Sequence, residues 1–168
     1  MKQAILLIFF SLSFAQDIPF FNSKRAMDLL EMQCSFGPRY PGSIGHEKTK
    51  VFLKNFLLPL SDSLYIFDEK TPHPSKLTTM NLTNFLARYN LKASYRLMLM
   101  AHWDTREFAD QDLNIENRKL PILGANDGAS GVAILLTLAE IIHSLPLLNI
   151  GVDLLFVDGE DQGNKGNP

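Results

Sequence analysis

The chain has 168 residues, of which 46% are hydrophobic and 20% are charged, which suits one globular α/β domain with its own core and is too short for two large ones. The formal net charge is −2, and the lysines and arginines are scattered rather than gathered in a run, so we expect no nucleic-acid partner. Cys34 is the only cysteine, which excludes an intramolecular disulfide. Its helical spacing from Leu30 predicts a buried, small apolar side chain.

The N-terminal stretch MKQAILLIFFSLSFAQD has the pattern of a secretory signal peptide. Lys2 precedes an apolar run, and Ser13-Phe14-Ala15 forms a small-x-small cleavage site. The apolar run of roughly 11 residues is shorter than the ~20 that a membrane-spanning helix needs. We therefore expect residues 1–15 to be removed, residues 16–168 to form a single α/β domain, and the mature protein to be periplasmic or extracellular, without membrane attachment after cleavage.

Two helices are predicted in the first part of the mature chain. Apolar residues three and four positions apart predict a helix in SKRAMDLLEMQCSF, with Ser23 as its N-cap. The same spacing predicts a second helix in HEKTKVFLKNFLLPL, which Ser43 caps and Pro59 ends. Both helices have one apolar face to bury against the rest of the domain.

Strands follow these helices. SLYIFDEK and MNLTNFLARYN, separated by a turn that contains two prolines, predict an antiparallel strand pair. The next segment, YRLMLMAHWD, is a nearly continuous apolar run that ends in polar residues. Such a run is typical of a strand that is buried on both faces.

The rest of the chain continues as a helix and a strand. GASGVAILLTLAEIIHSL has helical periodicity until Pro146 stops it, and NIGVDLLFVDGED predicts a second buried strand. Strand, helix and strand make one βαβ unit, with a parallel pair and a right-handed crossover. The predicted fold is α/β, with a central mixed, mostly parallel sheet flanked by helices. Because the chain stops soon after a central strand, we expect the C-terminal part of the domain to be missing.

Five polar residues at the ends of these elements are predicted to meet at one edge of the sheet. His102 and Asp104 follow one strand, Glu160 and Asp161 follow its parallel neighbour, and Asp127 begins the connecting helix. Open α/β sheets bind ligands at this edge. Imidazole and carboxylate groups bind zinc, so we predict a metal centre there. Taken singly, each residue also fits a structural role, such as a turn aspartate or a strand-end histidine.

The residue types suggest a division of roles within this cluster. Asp104 can orient a ligand or a substrate group, and the helix dipole would stabilise the charge of Asp127. The adjacent side chains of Glu160 and Asp161 point in different directions, so one can bind the metal while the other carries a proton. Three other histidines are predicted to be surface residues outside the cluster: His46, His73 and His143.

Five segments, in this order, resemble the zinc exopeptidases that include the bacterial aminopeptidases and the glutaminyl-peptide cyclotransferases: FGPRYPGSIGHEK, TNFLARYN, AHWDTREF, GANDGASGVAILLTLAE and LLFVDGEDQG. The resemblance implies that His102, Asp127 and Asp161 bind metal. It also implies that Glu160 is the general acid/base and that Asp104 is the supporting catalytic acid of a His-x-Asp motif. The family commonly has Glu-Glu where this chain has Glu160-Asp161, and its later Asp and His ligands have no counterpart in this chain.

The resemblance leaves two reactions open. RYPGS, HWDTREF and GED are more similar to the cyclase branch, which implies a single Zn²⁺ and the conversion of an N-terminal Gln to pyroglutamate with release of ammonia. The alternative is a secreted aminopeptidase that uses two Zn²⁺ ions to remove N-terminal residues. A third interpretation is an inactive binding module of the same fold. In both enzymes the substrate is the N-terminus of a peptide or protein.

Overall fold

The computed structural model describes residues 18–74, 76–145 and 149–162. The predicted signal peptide, Pro146 and residues 163–168 lie outside the described residues. The helices and strands within the described ranges are α1 Ser23–Ser35, α2 Ile44–Leu57, β1 Ser63–Pro72, β2 Thr79–Tyr89, β3 Tyr95–His102, α3 Gly131–Ser144 and β4 Ile150–Val157. A short 3-10 helix, Ile115–Lys119, and an irregular turn, Ala125–Ser130, lie between β3 and α3.

The predicted helices form, with one correction at an N-terminus. Ser43 caps α2 as predicted, since its side chain accepts a hydrogen bond from the His46 backbone N–H. The cap of α1 is Asn22 and not Ser23, because the Asn22 side chain accepts from the Arg25 N–H at 3.0 Å. Asparagine and serine are equally good in this position, so the residue type alone did not distinguish them.

The sheet has the strand order β1-β2-β4-β3. The predicted parallel pair is confirmed, because β3 and β4 run side by side with α3 between them in the chain. The description of the sheet as mostly parallel is wrong for the described residues, where β1–β2 and β2–β4 are both antiparallel. A short turn joins β1 to β2, and only an antiparallel pair can be joined in this way. In the register of the parallel pair, His102 lies opposite Val157, so both strands end at the same level.

The described helices cover one face of this sheet. α3 packs on β3 and β4, α1 packs on α3, and α2 contacts β2 and α3. The largest buried side chains of the core are Leu29, Leu53, Leu57, Phe85, Trp103, Leu136, Leu154 and Phe156. Cys34 is half-buried rather than fully buried. The ends of β3 and β4 are therefore supported by helices that pack on one face of the sheet.

The other face of β3 departs from the prediction. β3 was expected to be buried on both faces, but Met98 is 54% exposed and Met100 is 65% exposed. Side chains alternate between the faces of a strand, and Leu99 and Ala101, on the opposite face, do pack against the core. β3 is an edge strand of the described sheet, and no described helix covers its second face. An apolar run therefore predicted the strand correctly but not what covers it.

Candidate metal and proton-transfer site

Three of the predicted residues meet at the common end of β3 and β4. Nε2 of His102 lies 2.9 Å from Oδ1 of Asp127, and Nδ1 of His102 lies 3.9 Å from Oε2 of Glu160. The side chains of Asp127 and Glu160 are 68% and 63% exposed, whereas that of His102 is mostly covered. The convergence predicted from the βαβ topology is thus present, with two solvent-facing carboxylates on either side of one imidazole.

Asp127 is held by a turn rather than by the first turn of α3. Its backbone is extended, with φ −84° and ψ 113°, and α3 begins only at Gly131. The left-handed φ angles of Gly124 (62°) and Gly128 (89°) shape this turn. A Cβ atom on Gly128 would lie 2.7 Å from the backbone oxygen of Asp104, so a larger residue does not fit there. The predicted help from the helix dipole is small, because that effect falls off outside the first turn.

Asp104 is fully buried and joins the loop after β3 to the loop after β4. Its Oδ1 accepts from the Glu160 N–H at 3.1 Å, and its Oδ2 accepts from the Asp161 N–H at 3.1 Å and from Gln162 Nε2 at 2.8 Å. Burial raises the pKa of this carboxyl, but His102 and the hydrogen-bond donors outweigh burial and hold its pKa below the ordinary value. Asp104 therefore positions Glu160 through the backbone.

The imidazole of His102 is surrounded by acid groups. Its Nδ1 lies 3.5 Å from Oδ1 of Asp104, and the interaction with Asp104 raises the pKa of His102 to about 9. The charges of Glu160 and Asp127 act in the same direction, while burial opposes them. Such surroundings favour a positive charge, carried by a proton or by a metal ion, at this point of the sheet edge.

Asp161 lies in the same loop, but its carboxylate contacts Arg106 and not His102. Its carboxylate accepts from the backbone N–H of Arg106 at 2.8 Å and from Nε of Arg106 at 2.9 Å. Burial raises the pKa of Asp161, and Arg106 opposes that shift. Glu160 and Asp161 do point in different directions, as predicted, but it is Glu160 that approaches the imidazole. The role of Asp161 as a metal ligand stays a prediction, and it requires the carboxylate to leave Arg106.

His102 and Asp127 suit a zinc ion in both chemistry and spacing. One offers an imidazole nitrogen and the other a carboxylate oxygen; the two atoms form a hydrogen bond of 2.9 Å and would need to separate only to about 3.3 Å to bind a tetrahedral zinc with bonds of about 2.0 Å. Within the described ranges, no group of three or more His, Cys, Asp or Glu side chains is placed to hold a metal. These two residues would therefore supply part of a four-coordinate site.

Sequence reasoning missed a buried pair directly behind the site. His46 was predicted to be a surface residue, but it is buried, with its ring stacked on Trp103 at a centroid distance of 4.4 Å. Its Nε2 lies 2.8 Å from Oδ2 of Asp158, which also accepts from the Thr83 N–H at 2.7 Å. The buried face of α2 meets the end of β4 here, and no local pattern signals such a contact between residues so far apart in the chain.

Of the other two histidines, one is buried and one is exposed. His73 is buried as well, so its prediction as a surface residue is wrong; it lies at the start of the β1–β2 turn, with its Nε2 3.5 Å from the carboxylate of Glu107. His143 is exposed in the last turn of α3, as predicted, and its Nδ1 lies 2.9 Å from the Leu60 carbonyl oxygen. Neither histidine joins the cluster around His102.

The sequence that carries this geometry matches a known family. Residues 84–167 match peptidase family M28. The chain belongs to this family. The M28 match includes all five residues predicted for the site, and it confirms the resemblance inferred from the five sequence segments. The mixed α/β fold described above is shared with solved structures of cyclases and of exopeptidases.

Three solved structures illustrate this likeness. The M28 chain is similar to glutaminyl cyclase of Tannerella forsythia, with 34% identity and a TM-score of 0.81, over 87% of this chain and 50% of that chain. It is similar to a leucine aminopeptidase precursor of Bacteroides thetaiotaomicron VPI-5482, with 33% identity and a TM-score of 0.82, over 90% and 52%. It is also similar to a Zn-dependent exopeptidase of Parabacteroides distasonis ATCC 8503, with 30% identity and a TM-score of 0.82, over 89% and 51%. The chain thus spans about half the length of each.

Proposed function

We propose that this M28 chain belongs to a zinc-dependent glutaminyl-peptide cyclotransferase, which converts an N-terminal Gln to pyroglutamate and releases ammonia. The observation that carries the proposal is that His102 and Asp127, whose side chains could bind one metal ion together, lie beside the exposed carboxylate of Glu160. Cyclisation needs one electrophilic ion for the γ-amide and one group that moves a proton. The similarity to Tannerella forsythia glutaminyl cyclase supports the same assignment.

In the proposed reaction, the α-amine nitrogen of the substrate bonds to its own γ-amide carbon, and the bond from that carbon to the amide nitrogen breaks. A zinc ion, when bound, polarises the γ-carbonyl oxygen. Glu160 takes a proton from the attacking amine and gives it to the departing nitrogen, which leaves as ammonia. Asp104 keeps the Glu160 backbone in place, and the exposure of the Glu160 side chain leaves it accessible to a substrate.

An aminopeptidase is the second candidate, and one feature of Asp127 favours it. Only its Oδ1 contacts His102, and the side chain is 68% exposed, so its second oxygen is open to another ion. Asp127 would then help to hold two Zn²⁺ ions, which would supply an activated water molecule for attack on the peptide bond, and Glu160 would accept the proton of that water. The likeness to the leucine aminopeptidase precursor agrees with this alternative.

The proposal includes export. The stretch before residue 16 has the charge, apolar run and cleavage site of a signal peptide, and its removal would release the domain to the periplasm or the outside of the cell. The substrate would then be the N-terminus of an exported or external peptide. Cleavage after Ala15 is checked by mass spectrometry of the secreted protein, since an uncleaved N-terminus would contradict export by this route.

The deciding experiment counts zinc and identifies products in one sample of the full-length gene product. Zinc per chain is measured by elemental analysis, and the sample is assayed on a Gln-initiated peptide and on an aminoacyl amide. One zinc with ammonia release and an intact peptide bond supports the cyclase. Two zincs with release of a free amino acid support the aminopeptidase, and a chain without zinc or turnover supports a binding module.

A pair of variants shows whether the predicted ligand matters. Asp127→Ala is expected to lower the zinc content, because it removes a carboxylate that lies beside His102. Asp110→Ala is the matched control, since Asp110 is an exposed aspartate whose carboxylate contacts Arg106 and not His102. Equal zinc content in the two variants would exclude Asp127 as a ligand.

A further inference from the structure

Arg39 lies at a junction between the segments that carry the site. It follows the Gly37-Pro38 turn after α1 and is fully buried. Its Nε donates to the Trp103 carbonyl oxygen at 3.0 Å, and its two terminal nitrogens donate to the carbonyl oxygens of Leu123 and Gly124 at 2.9 and 2.8 Å. One side chain thus connects the peptide between His102 and Asp104 with the start of the Asp127 turn.

The surroundings of this guanidinium are unusual for a buried charge. All three side-chain hydrogen bonds go to backbone carbonyls, and none of the described carboxylates forms an ion pair with it. Burial lowers the pKa of Arg39, and the nearby Cys34 and Asp104 oppose that shift. A buried charge without an ion-pair partner is costly. An apolar side chain of similar volume would avoid this cost, so the contribution specific to the guanidinium is its three hydrogen bonds to the backbone.

The neighbouring backbone supports the contact between the Arg39 side chain and the Asp127 turn. Its own N–H donates to Oγ1 of Thr105 at 2.8 Å, which fixes the arginine backbone against the loop after β3. A Cβ atom on Gly124 would lie 3.1 Å from a terminal nitrogen of Arg39, and one on Gly128 would lie 3.5 Å from it. Glycines at both positions allow the turn to pack closely on the guanidinium.

We propose that Arg39 is a positioning residue of the site, which holds the Asp127 turn at a fixed distance from His102. It acts through the backbone: it fixes one peptide next to His102 and two carbonyls that precede Asp127. The Gly124 oxygen that it holds also accepts the Ala129 N–H at 3.2 Å, which closes the turn. The positioning of the turn stands independently of the reaction, whereas its effect on zinc binding rests on the proposed function.

The conservative variant Arg39→Lys tests the positioning. Lysine keeps the charge but has one nitrogen, which cannot reach three separated carbonyls in the planar arrangement of a guanidinium. Hydrogen exchange of the Ala129 amide, followed by NMR on the full chain, is expected to accelerate at least about tenfold, while amides of the β1–β2 pair stay within about twofold. Unchanged exchange at Ala129 overturns the proposal. Equal acceleration in β1–β2 also overturns it, because the effect would then be a general loss of stability.

Arg25→Lys is the matched control. Arg25 also joins distant segments, through Nε and a terminal nitrogen to Glu140 of α3 at 3.1 and 2.7 Å, but it does not contact the Asp127 turn. Exchange at Ala129 in this variant is expected to stay within about twofold of wild type. An equal acceleration in both arginine variants would mean that any loosening of α1 reaches the turn, and the specific role of Arg39 would fail.

Zinc affinity gives the second measurement, by competition with a chromophoric chelator. Arg39→Lys is expected to bind zinc about 10–100-fold more weakly, the usual effect of losing a group that orients a ligand, and Arg25→Lys is expected to bind within about twofold of wild type. Wild-type protein that binds no zinc would overturn the proposed function, and the exchange data would still decide the positioning role. Unchanged zinc affinity in Arg39→Lys overturns the link between the turn and the metal.

Discussion

The carboxylates at the sheet edge fall into two contrasting groups. Asp104 and Asp158 are buried and accept hydrogen bonds from backbone N–H groups, whereas Asp127 and Glu160 are exposed. Asp104 joins the loops that follow β3 and β4, and Asp158 joins the end of β4 to β2 and α2. The second group, Asp127 and Glu160, projects toward the same imidazole.

The contrast distinguishes carboxylates that fix the structure of the site from carboxylates that could bind a metal or transfer a proton. A buried carboxylate that accepts hydrogen bonds from the backbone is shielded from a metal or a substrate, but it fixes the segments that carry other groups. A carboxylate that reacts must keep an oxygen free, and it depends on others for its position. Variants of the two groups should therefore fail differently, one in folding and the other in chemistry.

The largest expected effect is the loss of turnover in Glu160→Gln. The amide cannot take a proton, so turnover should fall about 10²–10⁴-fold, the usual contribution of a general acid/base. The free energy of unfolding should change by no more than about 0.5 kcal/mol, because the side chain is largely exposed. Steady-state assays and urea unfolding of the same preparations measure both. Full turnover in this variant would remove Glu160 from the mechanism.

Asp104→Ala is expected to show the opposite behaviour. It removes the acceptor of the Glu160 and Asp161 N–H groups and one of the two acceptors of the Gln162 side chain, which also donates to the Thr105 carbonyl oxygen, so the free energy of unfolding should fall by about 3 kcal/mol. Urea denaturation measures this change. Asp110→Ala, which removes an exposed carboxylate, should cost no more than about 0.5 kcal/mol. Similar losses in the two variants would contradict the distinction.

The sequence predicted the residues that meet at the sheet edge, but it predicted only some of the buried residues that hold them in place. His102, Asp127 and Glu160 follow recognisable strand ends and a glycine-rich turn, and the βαβ topology brings such positions together. Arg39, His46 and Asp158 act through contacts between residues far apart in the chain, and nothing in their own segments indicates the partner. The contact between Asp161 and Arg106 likewise joins residues far apart in the chain, and no local pattern indicates it.

Prediction of the fold was limited in the same way, because contacts between distant elements do not follow from local sequence. Periodicity and turn residues predicted the three α-helices and four strands of the described residues, because these depend on local sequence, but not the short 3-10 helix Ile115–Lys119. The apolar run of β3 did not reveal that Met98 and Met100 are exposed, since burial depends on the elements that pack against a strand. The turn around Asp127 was read as a helix start because its glycines permit left-handed angles that no periodicity reports.

An intermediate loss of stability is expected for His46→Phe, which tests the contact of His46 with the buried Asp158. Phenylalanine keeps a ring against Trp103 but removes the nitrogen beside Asp158, whose buried carboxylate is left with the Thr83 N–H. We expect the free energy of unfolding to fall by about 2 kcal/mol in urea denaturation. The control His143→Phe, at an exposed position, should change it by no more than about 0.5 kcal/mol. A stable His46→Phe variant would show that the pair does not hold the end of β4.

The smallest effect is expected for Asp153, a buried carboxylate on the face of the sheet that no described helix covers. Asp153 accepts from Arg96 at 2.6 and 2.8 Å and from Arg88 at 2.9 Å, and these contacts, led by Arg96, hold its pKa below the ordinary 3.8 despite burial. Because the folded-state pKa is lowered, this carboxylate stabilises the protein fully above about pH 4 and loses its contribution as the pH falls further.

Asp153→Asn should therefore reduce the free energy of unfolding by about 1 kcal/mol at pH 7 and by less near pH 3, as measured by urea denaturation across that range. Glu69→Gln removes an exposed carboxylate of β1 and should leave the pH dependence like that of wild type. Asp153 has both oxygens bonded, as Asp104 does, yet it lies far from the site. A loss at Asp153 together with unchanged zinc binding would show that saturated carboxylates stabilise this fold wherever they occur, and that only those at the sheet edge also position the metal centre.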